Sequence, residues 1–372
     1  VSDNRRAASR LLAVGAGLAL VGGACGSFLI IGVEVGALAL VTGIVLAAIP
    51  VPIYLGLALL LDRYEPEPLP LLVLTFLWGA GAATTFALIV NSTGQALISQ
   101  SFGSNFGELF GSTVSAPIVE ESAKATALFA IYKWRRTELD GVLDGIVYAV
   151  MVGLGFAFTE NVLYYSKALV ESQDVLAGTF FARGILSPFA HPLFTSITGI
   201  GFGLAARSKA NGRGLWVLLG LFGAIVLHAI WNSSSGAAQG AGFLGVYALI
   251  MFPTFIVVLV LAIVSRSREG EAVRERLGPE LAAGVLGPAD LEALSSLGAR
   301  RRAIRATVGP TRDARGQLYR SAVDLAFLRR QLERLPDRLR PRAVAEEAAL
   351  RQRVWELSWQ AAGRVPPTSY YG

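Results

Sequence analysis

Only two histidines occur in this chain of 372 residues, and both stand inside apolar segments: His191-Pro-Leu-Phe-Thr195 and His228-Ala-Ile-Trp-Asn232. Two more apolar segments carry carboxylates, Pro117-Ile-Val-Glu120-Glu121-Ser-Ala-Lys124 and Phe156-Ala-Phe-Thr-Glu160-Asn161. An ionised group at the centre of a bilayer costs at least about 2.5–3.5 kcal/mol, so each of these residues needs a reason to be there. Residues four apart share a helix face, which pairs Glu120 with Lys124, Phe156 with Glu160 and His228 with Asn232.

Such groups suit hydrolysis of a peptide bond, which requires a base to activate water and a group to stabilise the oxyanion. Glu120 can take the proton, Glu121 can orient it, Lys124 can keep it ionised, and an imidazole or Asn232 can polarise the carbonyl. A carboxylate and two histidines, Glu160, His191 and His228, also suit a divalent metal, by ligand type zinc (Zn), with a fourth position open to water. The residues alone leave both schemes open. Singly, each has a plainer explanation: Glu120 and Lys124 as an ion pair that fixes helix register, a histidine or Asn232 as a bond between neighbouring helices. Several such residues at matching depth on separate segments favour a joint function.

Long charge-free runs must position them. With 53% hydrophobic and 16% charged residues, the chain is more apolar than soluble domains, and a bilayer core needs about 20 apolar helical residues. The pattern predicts an all-α, polytopic transmembrane helix bundle of about eight spans, at 11–33, 35–61, 69–91, 112–132, 142–165, 183–206, 214–235 and 243–265. The first run exceeds a signal-peptide core and leads directly into another span, so it is expected to be retained. Counted inward from the outer span ends, Glu120, His191 and His228 each lie about eight residues down, roughly 12 Å, with Glu160 and Asn232 shallower.

Basic residues mark one face of the bundle: Arg5, Arg6 and Arg10, then Arg63, then Lys133, Arg135 and Arg136, then Arg207, Lys209 and Arg213, then Arg266 and Arg268. Because Lys and Arg concentrate in cytoplasmic loops, both termini are expected in the cytoplasm. Arg183, Asp140 and Asp144 are expected in water at span ends. The lone cysteine, Cys25, excludes an intrachain disulfide and reads as a small buried packing residue. Pro117 and Pro192 read as kinks. Gly153, Gly155, Gly199, Gly201, Gly203, Gly220 and Gly223 read as sites of close helix approach.

Composition changes after Ser265, dividing the chain into a membrane bundle, 1–265, and a tail, 266–372. The tail holds 20 Arg against 13 acidic residues, a net charge of +7. The whole chain carries +6, so the bundle is left at −1 and the basic character belongs to the tail. The stretch from Val323 to Leu335 has apolar residues at helical spacing with Arg between them, which predicts an α-helical cytoplasmic appendage held by its own packing. No aromatic-interleaved motif for nucleic acid occurs there.

Glu120-Glu121-x-x-Lys124, the run from Gly153 through Glu160-Asn161 to Tyr164-Tyr165, His191-x-Leu-Phe-Thr195 and His228-x-x-x-Asn232 together resemble the PrsW family of bacterial intramembrane proteases. That family lies within the superfamily of CAAX endopeptidases and bacteriocin-immunity proteins. The resemblance covers roughly 70–265 and omits the tail. It implies that the paired glutamates, the two histidines and Asn232 are catalytic positions. It also implies cleavage of a membrane-anchored protein near its extracytoplasmic side, the family's known substrate being an anti-sigma factor. Many members of the superfamily have Phe-x-x-x-His where this chain has Phe156-x-x-x-Glu160, so a carboxylate replaces a histidine at a metal position. The expected setting is the cell membrane, with the lipid bilayer and a membrane-anchored protein substrate as partners and no nucleic acid. Two other classes share such clusters: a proton-coupled transporter or channel, expected to carry internal repeats that are not evident here, and a non-catalytic scaffold.

Overall fold

The computed structural model describes residues 2–63, 66–208, 210–235, 241–333 and 340–366. Val1, Lys209, Gly236 and Leu335, with the side chains of Arg5, Arg6 and Arg10, lie outside the described residues. Every regular element described is helical. The helices are α1 Ser2–Val35, α2 Ala37–Ala48, α3 Val51–Leu61, α4 Leu69–Leu77, α5 Thr84–Phe102, α6 Ser104–Phe110, α7 Ala116–Trp134, α8 Val142–Glu171, α9 Gln173–Phe180, α10 Ala190–Arg207, α11 Arg213–Ser235, α12 Ala241–Val246 and α13 Phe252–Arg276. Five shorter or polar ones follow: α14 Gly278–Ala282, α15 Pro288–Ser295, α16 Leu297–Arg305, α17 Pro310–Leu332 and α18 Arg340–Ala361. The chain divides into two compact units, one holding Glu67–Ala262 and the residues up to Leu61, the other holding Asp62–Pro66 and Ile263–Gly372.

Among the described residues, six helical stretches are long and apolar enough to cross a membrane: Ala37–Leu61, Leu69–Phe102, Val142–Glu171, Gln173–Arg207, Arg213–Ser234 and Gly242–Ala282. Two of the eight expected spans fall outside this set. The first contributes the shorter apolar helix Ala19–Val35. The fourth, α7, contains Glu120, Glu121, Lys124 and Lys133, and these polar residues lower its hydropathy. Gly36 separates α1 from α2 at φ 84°, a left-handed conformation that a residue with a Cβ adopts only under strain.

Burial ranks the helices. In α8, 83% of the apolar window is buried, against 17% for Ala37–Leu61 and 22% for Arg213–Ser234. A helix apolar on all faces and covered on all faces forms the bundle's core, while the outer helices present Leu, Ile and Val to lipid. Cys25 is exposed on α1; expected to be a packing residue, it instead faces outward because α1 is peripheral.

Three expectations about the span ends change. The sixth segment is not one helix: a wide-turn π segment, Phe181–Leu186, ends in an irregular step at Ser187-Pro188-Phe189 before α10 begins. Pro188 lacks an N–H and disfavours helix in the residue before it. The freed carbonyl of Ala182 accepts both the Ser187 N–H, at 3.0 Å, and the Ser187 hydroxyl, at 2.7 Å, as backbone away from water requires. Pro192 then sits in the first turn of α10, where proline is tolerated, whereas Pro117 follows just after the wide-turn segment Gly111–Ser115 within a continuous helical stretch. Asp140 and Asp144 are each only 7% exposed. The Asp144 carboxylate accepts the backbone N–H of Asp140 at 2.9 Å and of Gly141 at 2.7 Å, so it caps α8.

The expected glycine contacts are present. A Cβ on Gly153 would stand 2.7 Å from the His191 carbonyl oxygen and 2.8 Å from Pro192 Cα, so α8 and α10 touch backbone to backbone at the level of His191. Gly201 and Gly220 make a similar approach between α10 and α11.

The second unit has its own core, built on Val273, Leu277, Leu294, Leu325 and Leu357. Val323, Leu325, Ala326 and Phe327 of the amphipathic stretch are buried in it. Glu280, 2% exposed, receives Arg329 through two bonds of 2.6 and 2.7 Å. Several of the tail's arginines are thus internal fasteners.

Because the Gly153 contact is with backbone, which cannot swing away, Gly153→Ala is expected to destabilise the protein by about 1–3 kcal/mol. Gly22→Ala, where a Cβ meets nothing within 4 Å, is expected within about 0.5 kcal/mol of wild type. Thermal unfolding in detergent compares the two; equal shifts would rule out the packing explanation.

Candidate active site

Four helices deliver the polar side chains. α7 carries Glu120, Glu121 and Lys124; α8 carries Phe156, Glu160 and Asn161; α10 carries His191 and Thr195; α11 carries His228 and Asn232. Six of the seven site residues expected from sequence enter one connected network, and its hub is Glu121, which is fully buried. Glu121 Oε1 accepts from Lys124 Nζ at 2.8 Å and from His228 Nδ1 at 3.0 Å, and Oε2 accepts from the Thr195 hydroxyl at 3.3 Å. Donors from three helices therefore saturate one carboxylate, as a charge out of contact with water requires.

Lys124 is equally buried. Its ammonium donates to His191 Nδ1 at 2.9 Å, stands 3.7 Å from Glu120 Oε2 and lies 3.8 Å above the centre of the Phe156 ring. The ring's negative face favours the cation, which explains the aromatic residue one turn before Glu160.

These partners fix both histidine tautomers. His191 Nε2 is 2.7 Å from Glu160 Oε2, a carboxylate that only accepts, so Nε2 carries the proton and Nδ1 accepts from Lys124. His228 Nδ1 donates to Glu121, leaving the Nε2 lone pair free 3.9 Å from Glu120 Oε2. Phe194 stacks on the His228 ring at 4.6 Å between centres and holds its plane.

The atoms able to hold a metal belong to Glu120, His191 and His228, one from each lying within 4.8 Å of the others. This set differs from the expected one by one carboxylate. Glu160 is held by Arg183 and by His191 Nε2, placing it behind a histidine as an orienting partner. Carboxylate with imidazole is a zinc-type donor set, with Glu120 Oε2 buried without a hydrogen bond and His228 Nε2 free, and a divalent ion would have to take the His191 Nδ1 lone pair from Lys124. The Lys124 ammonium shares this space.

Asn232 reaches a different element. It donates to the Ser112 backbone carbonyl at 2.9 Å, one helical turn, about 6 Å, from His228. Arg183, expected in water, instead pairs with Glu160, donates through Nε to Asn161 Oδ1 at 2.7 Å and stacks 4.0 Å from the Tyr164 ring centre. The π segment before α10 turns Arg183 inward, and Glu160 supplies the counter-charge.

Sequence reasoning missed Asn91 and Ser115. Asn91 Nδ2 donates to Glu120 Oε1 at 3.4 Å, and the Ser115 hydroxyl donates to Asn91 Oδ1 at 3.3 Å. The available signal was an amide in the charge-free run 69–107. A cavity of about 650 Å³ opens beside Glu120, lined among others by Asn91, Gln95, Ser112, Phe156 and Glu160. Neither histidine lines it; both stand behind the carboxylates.

Comparison with known proteins matches residues 67–258 to the model of a family described as PrsW family intramembrane metalloprotease. Among curated relatives, protease PrsW of Bacillus subtilis (strain 168) is 34% identical over 126 residues, 34% of this chain and 54% of that protein. Protease PrsW of Geobacillus kaustophilus (strain HTA426) is 33% identical over 143 residues, 37% and 58% of the two chains. That of Clostridioides difficile (strain 630) is 31% identical over 175 residues, 46% and 69%. The chain thus spans just over half the length of the first two relatives. No solved structure matches it.

The Arg183–Glu160 pair, with side chains 24% and 15% exposed, is mostly shielded from water. Arg183→Ala leaves a carboxylate without its counter-charge and is expected to cost about 2–5 kcal/mol of stability. Adding Glu160→Gln should recover part of that loss. A double-mutant cycle on thermal unfolding measures the coupling, and additive losses would show that the pair does not act as a unit.

Proposed function

Because this chain belongs to the PrsW family of intramembrane metalloproteases, we propose that it is an endopeptidase that hydrolyses a peptide bond of a membrane-anchored protein. One observation carries the reading: Glu120, at the wall of a cavity, has one carboxylate oxygen held by Asn91 and the other buried without a hydrogen bond, with the Lys124 ammonium 3.7 Å away. In this reading Glu120 takes the proton from water at Oε2 and passes it to the leaving amine. Glu121 holds Lys124 and the His228 tautomer in place. Glu160 holds His191, with Arg183 behind it.

Glu120, His191 and His228 are the residues that would hold a divalent ion, for which zinc is proposed on donor type; with it bound, Glu120 would be a ligand, and its Oε2 acts as base only in the metal-free reading. Such an ion, when bound, lowers the pKa of water and polarises the scissile carbonyl. A second, metal-free reading is favoured by Lys124, whose ammonium lies among these residues and can itself oppose developing negative charge. Metal content of the purified protein, with cleavage after chelation and zinc replenishment, separates the two.

The proposed setting is the cell membrane with eight spans, the bundle 1–265, the tail 266–372 and both termini cytoplasmic, on the strength of the basic flanks. In that orientation the cavity opens toward the exterior, since Gln95 and Glu108 stand where α5 and α6 meet. A membrane-anchored regulator of the anti-sigma-factor kind is the substrate proposed on family grounds.

Removing the base should cost about 10²–10⁴-fold in kcat. Glu120→Gln and His191→Ala are expected to abolish a shortened product when co-expressed with single-span candidates and, in purified form, to lower kcat by that margin, with thermal unfolding measured beside it to separate loss of chemistry from loss of fold. Cleavage within tenfold of wild type by both variants would defeat the assignment.

A further inference from the structure

The cavity beside Glu120 has a polar wall and an acidic mouth that the hydrolytic machinery does not use. Ser92 and Gln95 line it from α5, and Ser112 lines it from the Gly111–Ser115 segment. The side chains of Ser92 and Gln95 have no hydrogen-bond partner among the described residues. A peptide bond inside a helix is shielded by its own i→i−4 bonds, so it must be unwound before cleavage, and each N–H and C=O freed away from water costs several kcal/mol if unmet. A wall of amides and hydroxyls meets that need for an extended backbone.

The mouth adds a charge preference. Three carboxylates line the cavity, Glu108, Glu120 and Glu160, and no lysine or arginine does. Glu120 stands beside Lys124, and Glu160 is paired with Arg183. Glu108 is exposed and has no ion-pair partner among the described residues. Twelve helical residues separate it from Glu120, about 18 Å along the axis, a distance that an extended peptide covers in about five residues.

We propose, on the basis of the peptidase reading, that the cavity is a substrate subsite for an unwound membrane-anchored segment bearing Lys or Arg about five residues from the scissile bond, on the side of the cavity mouth, where Glu108 receives it. Few spans meet that requirement, because flanks outside the cytoplasm are poor in Lys and Arg. The preference is electrostatic and exposed to solvent, so it is modest and sensitive to salt.

The test measures binding and cleavage separately. The full chain in phosphatidylcholine nanodiscs is titrated with fluorescein-labelled peptides, each a leucine–alanine span joined to a Gly-Ser stretch in which one position is Lys, Gln or Glu. Wild type is expected to bind the Lys peptide about fivefold more tightly than the Glu peptide at low salt, with the difference lost near 1 M salt. Glu108→Lys should reverse the order; if that variant does not fold, Glu108→Gln should equalise the affinities. Equal affinities in wild type, or an unchanged order in the Glu108 variant, would overturn the subsite. Charge-selective binding without cleavage of any bound peptide would support the subsite and overturn the peptidase reading on which it was built.

Discussion

A buried ammonium orders this bundle. Lys124 is withdrawn from water in a bilayer protein, where an unmet charge is intolerable. It is satisfied only by groups brought from elsewhere: Glu121 one turn before it on α7, His191 from α10 and the Phe156 ring from α8. Glu121 in turn requires His228 from α11 and Thr195 from α10. Removing one member of such a network leaves another charge unpaired, at a cost of about 3–5 kcal/mol. The same requirement that seats the helices therefore seats the chemistry, and the tautomers of both histidines follow from it.

Around that centre the helices are irregular where they border the cavity. Wide-turn segments occur at Trp78–Ala83, Gly111–Ser115 and Phe181–Leu186, and the first two adjoin or include cavity-lining residues, Thr84, Gly111 and Ser112; a fourth, Tyr247–Met251, does not line the cavity. Such bulges shift the following residues around the helix axis and recur at functional sites. Here one of them presents Arg183 to Glu160, and another places Ser115 against Asn91. Trp78, at the start of the first bulge, donates its indole N–H to the Ala123 carbonyl at 3.1 Å and braces α7 beside Glu120 and Glu121.

The second unit follows different physics. Its helices hide apolar faces from water in a small core of their own and lock them with arginine. Glu280 is gripped through both oxygens by Arg329, which also reaches Glu347.

The sequence by itself determined that this is an all-α, multi-pass membrane protein, because long charge-free runs have no alternative in lipid. It also singled out the ionisable residues that the fold gathers into one network, because such groups within apolar runs are too costly to be accidental. Helical periodicity placed Glu120 with Lys124, and the glycines marked where backbones meet. Only the tertiary structure decided how the polar residues divide their roles. Glu160 orients His191 while Glu120 completes the metal-competent trio, Arg183 turns inward, Asn232 binds Ser112, and Asn91 stands at the base. The physical reason is that period and hydropathy fix the face and depth of a residue on its own helix. Which groups share a hydrogen bond depends on how helices distant in sequence rotate and break against one another, and here a proline step and three bulges set those rotations.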